Sequence, residues 1–214
     1  MNNILTVISD TVIAGDYADM AELTQQALAA GIAPQTVLDD GLIAGMDYVG
    51  VEFKAGRMFV PEVLRSARSM QASMDMLEPL LADGGSAHQS RVLIGTVKGD
   101  LHDIGKNLVG MMCAGAGFEV RDLGKDVDPE VFVEAIQDFQ PHVVGLSALL
   151  TTTMMTMERT IKTIDAAGLR HQVKILIGGA PVTQAFADHV GADGYASNAV
   201  TAAELARELA QTAN

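Results

Sequence analysis

One cysteine, Cys113, is all the thiol chemistry this 214-residue chain possesses. No internal disulfide can staple it, and a reducing cytoplasm is the expected compartment. Basic residues are scarce as well: 14 Lys and Arg stand against 27 Asp and Glu, a formal net charge of −13. Phosphate binding draws most of its affinity from clustered Lys and Arg, so no nucleic-acid partner is expected. Long apolar runs are missing too. The longest stretch without charge, 139–157, is broken by Pro141, His142, Gly145 and four threonines, too polar to span a bilayer. The opening Met1-Asn2-Asn3 lacks the basic start of a secretory leader.

What remains divides into two patterns, as a chain of this length allows. Residues 1–83 carry helical periodicity. Val63, Ala67, Met70, Met74, Leu77 and Leu81 recur at intervals of three and four, one apolar stripe along a helix, with Pro61 in the first turn. A second stripe, Leu38, Leu42, Met46, Val49 and Phe53, follows Pro34. Ile4, Leu5, Ile8 and Val12, then Met20, Leu23 and Ala27, mark two shorter helices. Four helices with short connections predict an antiparallel bundle. Small and polar residues at 84–90 predict a linker.

Beyond the linker, in 91–214, short β-rich runs alternate with helical segments. The runs are 92–97, 118–123, 143–149 and 175–177, with a weaker fifth at 194–196. Alternation of this kind predicts βαβ units and a doubly wound, five-stranded parallel sheet of the flavodoxin or Rossmann type. Such sheets bind ligands beyond the carboxyl ends of their strands, so the residues after each run are the ones to inspect.

After the first run comes Lys98-Gly99-Asp100-Leu101-His102-Asp103-Ile104-Gly105-Lys106-Asn107, with a helix resuming at about Gly105. An imidazole flanked by carboxylates at the ligand-binding edge suits a metal ligand, whose second ring N–H is usually held by a carboxylate; Asp100 is placed for that. The same loop also reads as an ordinary polar connection, with Asp103 capping the next helix and His102 exposed.

The other strand ends carry the distinction. Asp100-Leu101-His102-Asp103-Ile104-Gly105, then Ser147-Ala148-Leu149 after 41 residues, then Gly178-Gly179 after 28 more, resemble the Asp-x-His-x-x-Gly, Ser-x-Leu and Gly-Gly pattern of the cobalamin-binding domain shared by methionine synthase and methyltransferase-associated corrinoid proteins. Met58-Phe59-Val60-Pro61-Glu62-Val63-Leu64 and Ser66-Ala67-Arg68-Ser69-Met70 look like that family's helical cap. The two modules cover nearly the whole chain, as in small stand-alone corrinoid proteins serving methylamine, methanol or methoxy-aromatic methyltransferases.

The resemblance implies a cofactor, cobalamin or a related corrinoid, and roles for particular residues. His102 would replace the cofactor's own base beneath cobalt through Nε2, with Asp100 on Nδ1–H and Thr153 bonded to that Asp; Thr151 and Thr152 compete for the last role. Leu101, Asp103, Ile104 and Leu149 would lie against the cofactor. Gly105, Ser147, Gly178 and Gly179 would line a slot for its nucleotide tail, with Tyr195, Ala196 and Ser197 at the far end. Phe59, with Val63 and Met70, would shield the upper face, although a stripe at helical spacing is also simply bundle core. Cys113 reads as a small buried apolar residue, Asp39-Asp40 and Asp126-Asp128 as solvated faces or helix starts, and His88, His142, His171 and His189 as residues without chemistry.

The function implied is methyl carriage, with no turnover by the chain alone. A substrate-specific methyltransferase would load cobalt, a second would pass the methyl to tetrahydrofolate or a thiol coenzyme, and a reductive activator would restore the cofactor. A cobalamin-dependent sensor is the alternative, but it needs an output domain such as a DNA-binding one, which the acidic charge disfavours. An adenosylcobalamin mutase would bring a catalytic barrel.

Overall fold

The computed structural model describes residues 4–83 and 90–212. It divides into two compact units, Met1–Gln89 with Ala114–Gly117, and Ser90–Cys113 with Phe118–Asn214. The linker expected at 84–90, and His88 within it, lie outside the described residues apart from Ser90.

The first unit contains α1 (Ile4–Ala14), α2 (Met20–Ala29), α3 (Pro34–Thr36), α4 (Ala44–Lys54) and α5 (Val60–Asp83). α3 and α4 are one rod joined by a π-helical turn at Val37–Ile43, so the expected third helix runs unbroken with a locally widened turn. Within it Gly41 and Gly45 admit α1: a Cβ on Gly45 would sit 2.9 Å from Ser9 O and Val12 Cβ. On α5 the buried face is broader than the apolar stripe. Val63, Met70, Met74 and Leu77 are buried, but so are Ser66, Ser69 and Ser73. Their small side chains permit close helix contact while their hydroxyls find acceptors: Ser69 Oγ donates to Asp16 O (2.6 Å), and Ser73 pairs with Thr24 Oγ1 (2.6 Å).

The second unit runs β1 (Arg91–Thr96), α6 (Ile104–Gly115), β2 (Glu119–Asp122), α7 (Pro129–Phe139), β3 (Val143–Ser147), α8 (Thr151–Ala166), β4 (Lys174–Gly178), α9 (Gln184–Val190), β5 (Gly194–Ala196) and α10 (Ala199–Gln211). All strands are parallel, in the order β2-β1-β3-β4-β5. β1 is buried at every position after the first, as a parallel strand covered on both faces must be. On one face Phe132 of α7 rests on Gly95, where a Cβ would come within 2.6 Å of the ring. On the other, Ile94 reaches Gly110 of α6, within 2.8 Å of a Cβ there.

Two of the strand ends that differ from expectation bear on the site. β3 stops at Ser147, not Leu149, because beyond Ala148 the next two backbone N–H groups turn to a side chain described below. Val97 leaves β1 and makes a single bridge to Val127. The register then aligns Thr96, Ser147, Gly178 and Ala196 in one row across β1, β3, β4 and β5. Residues separated by up to 100 positions thus share one carboxyl-terminal edge, where an α/β sheet receives ligands.

No helix among the described residues is long and apolar enough to cross a membrane. Cys113 is buried, and burial pushes its thiol pKa up to about 12. That fits the structural role expected of it.

Candidate functional site

The chain leaves β1 through a tight turn: Asp100 N–H donates to Val97 O (3.1 Å), and Gly99 takes φ +87°, open mainly to glycine. This turn aims Asp100 inward, and its side chain is fully buried. A buried carboxylate survives only when its lone pairs are satisfied. Here Oδ1 accepts from His102 N (3.0 Å) and pairs with His102 Nδ1 (2.8 Å). Oδ2 accepts from Leu149 N (2.7 Å), Leu150 N (3.3 Å) and Thr153 Oγ1 (2.6 Å). Burial alone would raise the Asp100 pKa. The bonds from Thr153, His102 and Leu149 outweigh it and hold the group well below the usual carboxylate range.

An ionised carboxylate only accepts, so Nδ1 of His102 carries the hydrogen and a neutral ring presents its lone pair at Nε2. The His102 side chain is 51% exposed. Its backbone is held as well, since Thr96 Oγ1 donates to His102 O (3.1 Å). Thr153 is buried, whereas Thr151 and Thr152 are exposed; the hydroxyl on Asp100 is therefore that of Thr153.

Around the loop, large apolar side chains face water: Leu101, Ile104, Leu149 and Leu150 are all exposed. A Cβ on Gly105 would meet nothing within 4 Å, so space is open there. Asp103 lies 4.0 Å from Lys125 Nζ. Gly179 adopts φ +136°, and a Cβ there would stand 1.8 Å from Ala148 O, which admits no other residue. A Cβ on Gly178 would lie 3.1 Å from Ala196 O. Ser147 is half-buried between Thr96 and Gly178 in the sheet row.

Some expected members are engaged elsewhere. Tyr195 packs against the hydrophobic core on the α7 and α8 side, while Ala196 holds the row. Val63 and Met70 are buried along α5 and serve packing. Phe59, just before α5, is 66% exposed, its N–H bonded to Glu62 Oε2 (2.9 Å). His142 Nδ1 accepts from Arg91 N (3.0 Å), and His171 and His189 are exposed.

Other residues around the loop have partners there that the sequence reading did not assign. Lys106 is buried, ion-paired with Asp122, and donates to Asn107 Oδ1 (2.7 Å). Asp126 accepts from Gly99 N (2.8 Å), and Lys98 Nζ reaches Asp128 (3.1 Å). The signal available was position: Asp122 closes β2 and Asp126 follows it, on the sheet edge that carries ligands.

Residues 90–204 match a B12 binding domain family, and residues 4–78 match a second B12 binding domain family. The dimethylamine corrinoid protein of Methanosarcina barkeri is 40% identical over 207 residues, covering 96% of this chain and 97% of that one. The chain belongs to the B12-binding corrinoid proteins. Trimethylamine corrinoid protein 2 of Methanosarcina acetivorans is 41% identical over 201 residues, 93% of each chain. The methanol:cobalamin methyltransferase complex of Methanosarcina barkeri contains a chain that superposes with TM-score 0.85 at 29% identity, over 98% of this chain and 80% of that one.

The donor set fits a corrinoid. Among the described residues no cluster of His, Cys, Asp or Glu could hold a metal ion, whereas a metal bound by protein alone needs three or four such ligands. A corrinoid brings its own equatorial donors and asks the protein for one axial donor. His102 Nε2 can be that donor. The open space at Gly105, the glycine pair at β4 and the exposed leucines offer room and apolar contact for ring and tail.

Proposed function

We propose that this corrinoid protein carries a methyl group between two methyltransferases, with His102 as the residue that would ligate the corrinoid's cobalt. The bound corrinoid supplies the cobalt atom that accepts and releases the methyl. The Asp100 contacts support this reading most directly, because five hydrogen bonds converge on a buried carboxylate whose one accessible product is an oriented imidazole.

Each residue then has a distinct task. Asp100 fixes the His102 tautomer and orients Nε2; Thr153 fixes Asp100. Ser147, Gly178 and Gly179 keep a slot open for the nucleotide tail, with Ala196 at its end. Leu101, Ile104 and Leu149 would exclude water beside a bound corrinoid, and Asp103, Gly105 and Thr151 would border it. The methyl donor is a methylated amine, the substrate class for which both amine relatives are named. A donor-specific methyltransferase loads the protein in the cytoplasm, a second delivers the methyl to tetrahydrofolate or a thiol coenzyme, and a reductive activator recovers oxidised cobalt.

Reconstitution with hydroxocobalamin tests the reading. Bound cobalt is expected to be equimolar with protein, and methyl loading is expected from dimethylamine or trimethylamine in the presence of the matching methyltransferase. His102→Ala should retain corrinoid and lose protein nitrogen coupling in Co(II) spectra. A colourless protein after reconstitution overturns the proposal.

A further inference from the structure

The loop that presents His102 is gripped from outside by one residue of the turn between β2 and α7. Asp126 makes two bonds to consecutive residues: its Oδ1 accepts from Gly99 N (2.8 Å), and its backbone N–H donates to Asp100 O (3.1 Å). Gly99 and Asp100 open the segment that carries the Asp100 carboxylate and, two residues on, the His102 ring. A clamp at this point sets the direction of both.

The clamp is held under backbone tension. Asp126 takes φ +57°, one of only two non-glycine residues with positive φ among those described. That region is uncommon for non-glycine residues and costs energy unless the surroundings enforce it. Lys98 secures the side chain, with Nζ 3.5 Å from Asp126 and 3.1 Å from Asp128. Asp126 itself is 43% exposed. An exposed residue in a costly conformation, bonded twice to the loop behind His102, has its purpose in that loop.

We infer that Asp126 is a positioning residue that determines how firmly His102 holds cobalt. The inference rests on His102 being the axial ligand. Asp126→Gly keeps the positive φ without strain but removes the acceptor, whereas Asp126→Asn keeps an acceptor oxygen and tolerates the same backbone. The two variants therefore separate the clamp from the turn itself.

The test uses the full chain labelled with 15N-histidine and loaded with cobalamin. In the Co(II) form, wild type should show the nuclear splitting of a 15N ligand, and His102→Ala should not. Cyanide is then titrated into the Co(III) form, and the concentration that displaces half of the imidazole is read from the visible spectrum. Loss of one hydrogen bond should lower that concentration about tenfold in Asp126→Gly, while Asp126→Asn stays near wild type and all variants keep equimolar cobalt. Lys98→Met, which only loosens the clamp, should lower it about twofold, so the idea stays testable should the glycine variant fold poorly. Wild-type protein without 15N splitting would remove the premise that His102 ligates. Splitting in wild type, with Asp126→Gly and Lys98→Met both surrendering the imidazole at the wild-type cyanide concentration, would leave that premise standing and overturn the inference.

Discussion

Thr153 lies 53 residues beyond Asp100 in the chain, yet its hydroxyl meets Asp100 Oδ2 at 2.6 Å, both side chains being buried. The bond spans β1 and β3, neighbours in the sheet, and brings the first turn of α8 to the base of the His102 loop. A hydroxyl donating to a buried carboxylate is stronger than a neutral bond, worth about 1.5–3 kcal/mol. Thr153→Val, which preserves shape and deletes the donor, should cost that amount in urea unfolding of the cofactor-free protein. Thr153→Ser, which keeps the donor, should cost less than about 1 kcal/mol. Equal losses in the two variants would mean that packing, not the hydroxyl, matters at this position.

The same carboxylate links stability to pH. Its pKa is depressed in the folded protein relative to about 3.9 in an unfolded chain. The folded state therefore binds this proton less readily than the unfolded state. Its stabilisation is complete above the unfolded value and fades as pH falls through the folded one. Asp100→Asn has no such proton to take up. The stability gap between wild type and Asp100→Asn should be wide at about pH 7 and narrow below about pH 4, as measured by urea midpoints. Other carboxylates titrate in both proteins and cancel in the difference. A gap that stays constant across this range would contradict the depressed pKa.

How much of this could be read from the chain depends on what kind of bond each residue makes. Asp100 and His102 are two residues apart, and the aspartate's bonds to the His102 ring and backbone close a local loop, so the motif carried the geometry. Ser147 and Gly178 were legible because strand-end position puts them in one row with Thr96. Thr153 was one of three adjacent threonines. Only the helical turn begun by Leu150, with φ −110° and ψ 143°, decides that the third points inward. Leu149 was read into a strand because leucine suits one, while its N–H is spent on Asp100. Asp126 was read as a solvated acid because its partners are backbone groups of Gly99 and Asp100, and any side chain can sit opposite a backbone group. The serines of α5 escaped for a similar reason: a hydroxyl bonded to a turn carbonyl or to another hydroxyl leaves no apolar periodicity. Pattern reading follows apolar spacing and short motifs; bonds between distant loops and backbone need coordinates.

Lys106 and Asp122 form an ion pair whose two ends live in different media: the lysine side chain is 3% exposed and the aspartate 39%. That asymmetry predicts unequal consequences of breaking it from either side. Asp122→Asn leaves a buried ammonium with Asn107 Oδ1 (2.7 Å) as its remaining acceptor, and an uncompensated buried charge costs about 3–5 kcal/mol. Some of this is relieved by the new amide oxygen, so a loss of about 2–4 kcal/mol is expected. Lys106→Met keeps most of the volume and leaves Asp122 half in water, where it needs no partner and still accepts from Gly124 N (2.8 Å). Its cost should stay below about 1 kcal/mol. Thermal unfolding of the two cofactor-free variants would show the asparagine protein melting well below the methionine protein. If the methionine variant is instead the less stable, the ammonium itself is the stabilising element, and the pair contributes through a charge that the surrounding strands require.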